Sequence, residues 1–247
     1  MESYKNYINK VAQKCTENNM SVLITSCGRT GTNMLLEILR ASDKLVATDP
    51  AEDKAVYRRG TIEWDNYLSK TDTHYISNYE YEVRNLLDSN KHLKILWTIR
   101  DLRDCSLSKI YRGQPGNDTG ILSDDATEDG CLEDINWMQI IHEFITKNYP
   151  ERIMTVKLED IILDFEKTIK EICNFIEIDY IEDMKKYVSR YRNDRLAKRY
   201  KKLDKNQIEL YKRRYKIYDG FFKNHDIDLD LLFTKLIPHL KYFGYKL

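Results

Sequence analysis

One stretch constrains the fold of this chain more than any other: residues 21–40, SVLITSCGRTGTNMLLEILR. It opens on a short apolar run, Val22-Leu23-Ile24, of the kind found in strands buried on both faces. A polar turn from Ser26 to Asn33 follows and carries Gly28 and Gly31. Apolar residues then recur at helical spacing, at Met34, Leu35, Ile38 and Leu39. Strand, glycine-bearing turn and helix in this order bring backbone N–H groups and the positive end of a helix dipole to one place, which makes an anion trap. Arg29 adds a cation, and Ser26, Thr30 and Thr32 add hydroxyls. Such a turn suits a phosphate or a related oxyanion.

The rest of the chain supplies the sheet that this unit needs. Residues 44–48 read as a second strand ended by Pro50, and 73–77 (THYIS) as a short β-prone segment. Residues 93–99 (LKILWTI) and 152–158 (RIMTVKL) are further strand candidates. Helical patterns fall at 80–88, 102–111, 135–149 and 164–176, with Asp101 or Asp104 placed to cap the second of them. A weaker surface helix is expected over 2–19. Residues 49–70 show no clean period and are expected to form loops and a short helix, while 112–133, rich in Gly, Asp, Ser and Thr, reads as a long loop. Alternating strands and helices predict an α/β fold, a parallel sheet flanked by helices. The length of 247 residues fits a single domain, with an α/β core over 21–177 and a helical, basic, tyrosine-rich part over 178–247 completing it.

Charge and cysteine usage exclude several classes of function. Lys+Arg and Asp+Glu both number 40, so no net field draws the chain to nucleic acid or to an anionic membrane, and anion binding has to be local. Cys15, Cys27, Cys105, Cys131 and Cys173 form no C-x-x-C pair and have no histidine at ligand spacing, which predicts no metal site, no disulfide framework and a reducing compartment. The polar start MESYKNYINK is neither a secretory signal nor an anchor, and no apolar run approaches the ~20 residues of a membrane helix. The expectation is a cytoplasmic protein.

A second stretch turns the anion trap into a more specific expectation. Arg100-Asp101-Leu102-Arg103-Asp104-Cys105-Ser106-Leu107-Ser108 follows the predicted strand at 93–99. Arg100 thus stands at a strand C-terminus, where open α/β sheets place ligands, and Ser108 lies about two turns into the next helix. An arginine and a hydroxyl so placed can grip one phosphate from two sides, at ~1.5–3 kcal/mol for a charge-assisted contact.

In this order the two stretches resemble those of the sulfotransferases that use 3′-phosphoadenosine 5′-phosphosulfate (PAPS). That family's first motif runs Lys or Arg, Ser or Thr, Gly, Thr, then Thr or Ser, and Arg29-Thr30-Gly31-Thr32-Asn33 is similar to it. Its second motif runs Arg, Asp or Asn, Pro, any residue, Asp or Glu, three of any kind, then Ser. Arg100, Asp101, Asp104 and Ser108 resemble it at the same spacing. The segment 156–166 (VKLEDIILDFE) and the closing region, from Arg199-Tyr200 to Phe243-Gly244-Tyr245, also look like parts of the family, the latter like its bacterial members.

The resemblance implies a P-loop-like sulfotransferase fold and transfer of a sulfonyl group from PAPS, without a metal, to a hydroxyl or amine of a small-molecule or carbohydrate acceptor. It also implies roles. Arg29 would neutralise charge on the leaving phosphate; Gly28, Thr30, Gly31, Thr32 and Asn33 would hold the 5′-phosphate; Arg100 and Ser108 would hold the 3′-phosphate. His74, 26 residues before Arg100, is the candidate general base, with an acidic residue as the alternative. Arg195, Lys198 or Arg199 would stand in for a glycine-rich C-terminal motif that this chain lacks. Asp72 replaces the lysine usual beside the base, Leu102 the usual proline and Met34 a tryptophan. Two other readings stand beside this one. A P-loop kinase or NTPase is opposed by the missing Gly-Lys-Ser/Thr of a nucleoside-triphosphate loop. A non-catalytic module that binds PAPS or its product 3′,5′-adenosine bisphosphate (PAP) is kept open by Asp72.

Overall fold

The structure, a computed structural model, describes residues 22–26, 29–48, 61–65, 79–113, 128–187 and 228–247. The apolar run of the opening stretch becomes strand β1 (Val22–Thr25), buried along its whole length, and the helical pattern after the turn becomes α1 (Thr32–Leu39). There follow β2 (Val46–Thr48), β3 (Thr61–Asp65), α2 (Tyr79–Ser89), β4 (Lys94–Ile99), α3 (Leu102–Gly113) and α4 (Glu128–Asn148). A 3-10 turn at Pro150–Arg152 leads into β5 (Ile153–Lys157), then α5 (Leu158–Leu163), α6 (Phe165–Phe175) and, near the end, α7 (Leu229–Tyr242). The helix expected over 2–19, the strand over 73–77 and the basic stretch from 188 to 227 lie outside the described residues.

All five strands run parallel in one sheet, in the order β2-β3-β1-β4-β5. From β1 the chain winds outward to β2 and returns through β3; from β4 it winds the other way to β5. The switch point therefore falls between the C-terminal ends of β1 and β4, the place where open α/β sheets take their ligands. The fold is α/β, as the alternating pattern predicts.

Two expectations are corrected. Residues 49–70 were expected to hold loops and a short helix, yet Thr61–Asp65 is a strand, pairing with β1 on one side and β2 on the other. Its sequence, TIEWD, interleaves charge with β-branched and aromatic residues, so it lacks the continuous apolar run of β1 and β4; backbone pairing on both edges makes it a strand. The long loop expected over 112–133 is also shorter than its composition suggests. Helix α3 continues to Gly113 and α4 begins at Glu128, seven residues ahead of the expected start, because Cys131, Ile135 and Met138 already form a buried stripe and Glu128 and Asp129 favour a helix N-terminus.

By internal contacts the chain divides into two compact units. One is Met1–Ile99 with Trp137–Lys185, and it holds the sheet; the other is Arg100–Asn136 with Lys186–Leu247. In the first, Val22, Leu23 and Ile24 of β1, Leu35, Ile38 and Leu39 of α1 and Ile95, Leu96 and Trp97 of β4 are fully buried. In the second, α7 packs against α3, burying Leu232, Leu236 and Leu240 at helical spacing. Asp228 caps α7 by accepting the Leu231 N–H at 2.9 Å. A buried ion pair between Lys109 and Asp134 joins α3 to the start of α4.

Candidate functional site

The turn after β1 has the backbone of an anion cradle. Arg29 has φ 62°, an uncommon left-handed conformation for a residue with a side chain, and Gly31 has φ 93°. Thr30 between them is not among the positive-φ residues, so the sign of φ alternates over three successive positions. Alternating φ signs are a feature of the backbone nests that bind anions. Helix α1 starts directly after it. Gly31 is its N-cap and offers no side chain, and the first backbone bond of the helix runs from Leu35 N–H to the Gly31 carbonyl. The N–H groups of Thr32, Asn33 and Met34 therefore have no carbonyl one turn back within the helix.

Gly31 is required here for a second reason. A Cβ at this position would lie 2.6 Å from Leu158 Cδ1, on the buried first residue of α5. The start of α5 thus presses on the turn after β1. That contact is invisible in the sequence.

The turn is also tied to β4. The Thr30 hydroxyl is hydrogen-bonded to Ser26 Oγ and, at 2.8 Å, to Thr98 Oγ1, and all three side chains are buried. Strand register explains why Thr98 is within reach. Thr25 pairs with Trp97, and β4 continues two residues beyond that pair, so Thr98 stands level with the first residue of the turn. Thr30 is expected from the sequence to donate to a ligand; its hydroxyl is engaged with Ser26 and Thr98. Thr98 carries no motif and was not anticipated.

Directly after Ile99 the chain enters the second unit at Arg100, which is 1% exposed. Its guanidinium forms an ion pair with Asp104 at 3.7 Å, one helical turn on. Burial pushes the Asp104 carboxyl up, and the Arg100 charge opposes that shift. Of the two acids expected to cap α3, Asp101 does so: its carboxylate accepts the Arg103 N–H at 3.0 Å and the Arg103 side chain at 2.9 and 2.7 Å. Arg103 in turn donates to the Lys246 carbonyl at 2.8 Å, fastening the start of α3 to the segment after α7. Ser108 is buried two turns along the same helix. Thus Arg100, Asp104 and Ser108 share one strand-end and helix segment, while Arg29 to Asn33 share the turn of the other unit.

Gly28, His74, Arg195, Lys198 and Arg199 lie outside the described residues. Among those described, no group of three or more His, Cys, Asp or Glu could hold a metal ion, and no helix is long and apolar enough to cross a membrane. Cys105, Cys131 and Cys173 are buried thiols, and burial pushes Cys173 up to about 11, far from a reactive thiolate.

Comparison with known proteins fixes the family. The sulfotransferase domain model matches residues 19–225, which includes both the turn and the Arg100–Ser108 segment. The chain belongs to the sulfotransferase domain family. A search of curated proteins finds no match. Among solved structures it is similar to mouse sulfotransferase SULT7A1 complexed with PAP (17% identity, TM-score 0.44, 72% of this chain and 67% of that one). It is also similar to the sulfotransferase domain from the curacin biosynthetic pathway (12%, 0.46, 67% and 76%). A third is the sulfotransferase from Alicyclobacillus acidocaldarius (13%, 0.46, 70% and 90%). Membership in the family sets the general chemistry as sulfonyl transfer.

Proposed function

We propose that this chain is a PAPS-dependent sulfotransferase acting on a hydroxyl or amine of a small-molecule or carbohydrate acceptor, as one cytoplasmic domain. The observation that carries the reading is the turn at the mouth of β1: alternating φ at Arg29, Thr30 and Gly31, followed at once by the open first turn of α1. This cradle lacks the lysine that a nucleoside-triphosphate loop directs at β- and γ-phosphates, and it carries Arg29 instead. In the reading, the N–H groups of Thr30, Gly31, Thr32 and Asn33 hold the 5′-phosphate, with Gly28 shaping the turn. Arg29 stabilises the charge that grows on the leaving phosphate oxygen.

Arg100 and Ser108 take the 3′-phosphate, the group that distinguishes this donor from ATP. Arg100 is buried with the Asp104 carboxyl 3.7 Å from its guanidinium, and a guanidinium suits a phosphate because its planar fork can donate two N–H bonds at once. During transfer the acceptor oxygen or nitrogen forms a bond to sulfur as the bond from sulfur to the phosphate oxygen breaks, and the acceptor proton passes to a base, for which His74 is the candidate. Most of the rate enhancement then comes from positioning and charge stabilisation. Arg195 or Arg199 supplies a further cation to the nucleotide.

Thermal shift with PAP against ATP plus Mg²⁺ tests the donor. Stabilisation by PAP is expected, and stabilisation by ATP–Mg²⁺ alone would overturn the assignment. Labelled PAPS with a panel of hydroxyl and amine acceptors then tests transfer. Asp72, standing where the family has lysine, favours one second reading, a module that binds PAP without chemistry; PAP binding with no transfer to any acceptor would select it.

A further inference from the structure

We propose that Thr98 is a positioning residue for the sulfonyl-donor cradle, acting through a three-hydroxyl relay, Ser26–Thr30–Thr98, that fixes the turn against β4. The proposal rests on the reading of that turn as the donor cradle and assigns a residue outside either motif.

The relay is built across the sheet's switch point. Ser26 and Thr30 belong to the chain leaving β1, and Thr98 lies on β4, separated from Thr30 by 68 residues in sequence. Ser26, Thr30 and Thr98 are 0%, 1% and 1% exposed, so water does not replace a lost partner. Each hydroxyl has one proton and two lone pairs, so Thr30 can donate one of its two bonds at most and accepts in the other or in both. Its side chain is thereby held from both ends. This matters because Thr30 is flanked by the two left-handed residues, Arg29 and Gly31. A side-chain-bearing residue keeps φ 62° only where its surroundings over-determine it, and the relay is the contact that grips the middle of the alternation.

Without the Thr98 hydroxyl, Thr30 keeps Ser26, which is on its own turn, and loses its tie to the sheet. The nest then relaxes toward ordinary backbone angles, and its N–H groups no longer converge. A threonine that merely fills the core predicts something different: loss of its hydroxyl would lower stability without singling out the turn.

Thr98→Val preserves shape and strand propensity while removing the hydroxyl, and Thr98→Ser restores it. Amide hydrogen exchange of the unliganded protein is the direct readout. In Thr98→Val, exchange over residues 29–35 is expected to rise about tenfold while 153–175 is unchanged, with Thr98→Ser near wild type. PAP affinity, measured by calorimetry, is expected to fall about fivefold or more in Thr98→Val and to recover in Thr98→Ser. Unchanged exchange over 29–35, or a rise equal in both segments, overturns the proposal. If Thr98→Val does not fold, Thr30→Val removes the same bond from the side of the turn and is read by the same comparison. Wild-type protein that fails to bind PAP, with the turn still loosened in Thr98→Val, would sink the donor reading and leave the relay standing; PAP binding with no loosening would do the reverse.

Discussion

At Gly31 two independent demands meet, a φ of 93° and the approach of Leu158, so Gly31→Ala is expected to cost more than either alone. A left-handed alanine is strained by ~1–2 kcal/mol, and pushing Leu158 aside in a packed core adds an amount of the same order. Urea denaturation should show a loss of roughly 2–4 kcal/mol. The double variant with Leu158→Ala should lose less than the sum of the two single losses, because the two changes share one contact; strict additivity would show that the clash is absorbed elsewhere. His142 presents a different single-residue effect. It is buried on α4, hydrogen-bonded through Nε2 to Thr155 Oγ1 at 2.7 Å and edge-on to Trp97, and burial holds it down at about 4. Because the folded value lies below the unfolded one, the neutral ring contributes stability at and above pH 6.5 that is lost as pH falls toward 4. The loss amounts to about 3 kcal/mol. Unfolding free energies measured from pH 7 to 4 should show it, and His142→Gln should flatten that slope.

At the scale of elements, Arg152 holds together a corner that no motif marks. It sits in the 3-10 turn before β5, and its guanidinium donates to the Leu93 carbonyl at 2.8 Å, the Leu87 carbonyl at 2.8 Å and the Asn90 carbonyl. These three carbonyls span the end of α2 and the entry to β4, so one side chain satisfies a helix C-terminus and fixes where a central strand begins. Arg152→Met keeps the aliphatic stem but removes all three bonds, leaving the Asn90 carbonyl only the Leu93 N–H, at a cost of about 3 kcal/mol. Arg152→Lys should recover only part, since an ammonium lacks the planar fork that spans them. Equal stability of the Met and Lys variants in guanidinium chloride would contradict this account. The effect bears on function because the far end of β4 carries Thr98 and leads to Arg100.

For the whole molecule, the expected signature of function is ligand-linked stability. A nucleotide that binds only the folded state at a hundred times its Kd adds about 2.7 kcal/mol, or roughly 5–10 °C in Tm for a chain of this size. PAP should give that shift in scanning calorimetry. Adenosine 5′-monophosphate, which lacks the 3′-phosphate, should give much less, and Ser108→Ala should narrow the difference between the two. Equal shifts for both nucleotides in the wild type would remove the 3′-phosphate role from the Arg100–Ser108 segment.

How much of this was legible follows from the range of each interaction. The strands at β1, β4 and β5, the helices α1, α3 and α6, the parallel α/β class and the two ordered motifs stand in the sequence because each is written in neighbouring residues: an apolar run, a 3.6-residue period, a glycine between hydroxyls. Strand β3 was missed, since TIEWD has no such local mark and is a strand by virtue of partners on both sides. The sequence marked residues 29–33 as a candidate anion site. It could not say that Thr30 turns its hydroxyl away toward Thr98, that Leu158 closes over Gly31, or that Arg152 sets the start of β4, because each contact joins residues about 60 or more positions apart. The identity of the motif residues was local information, whereas what holds them in working geometry depends on strand order and register, and these exist only once the sheet has formed.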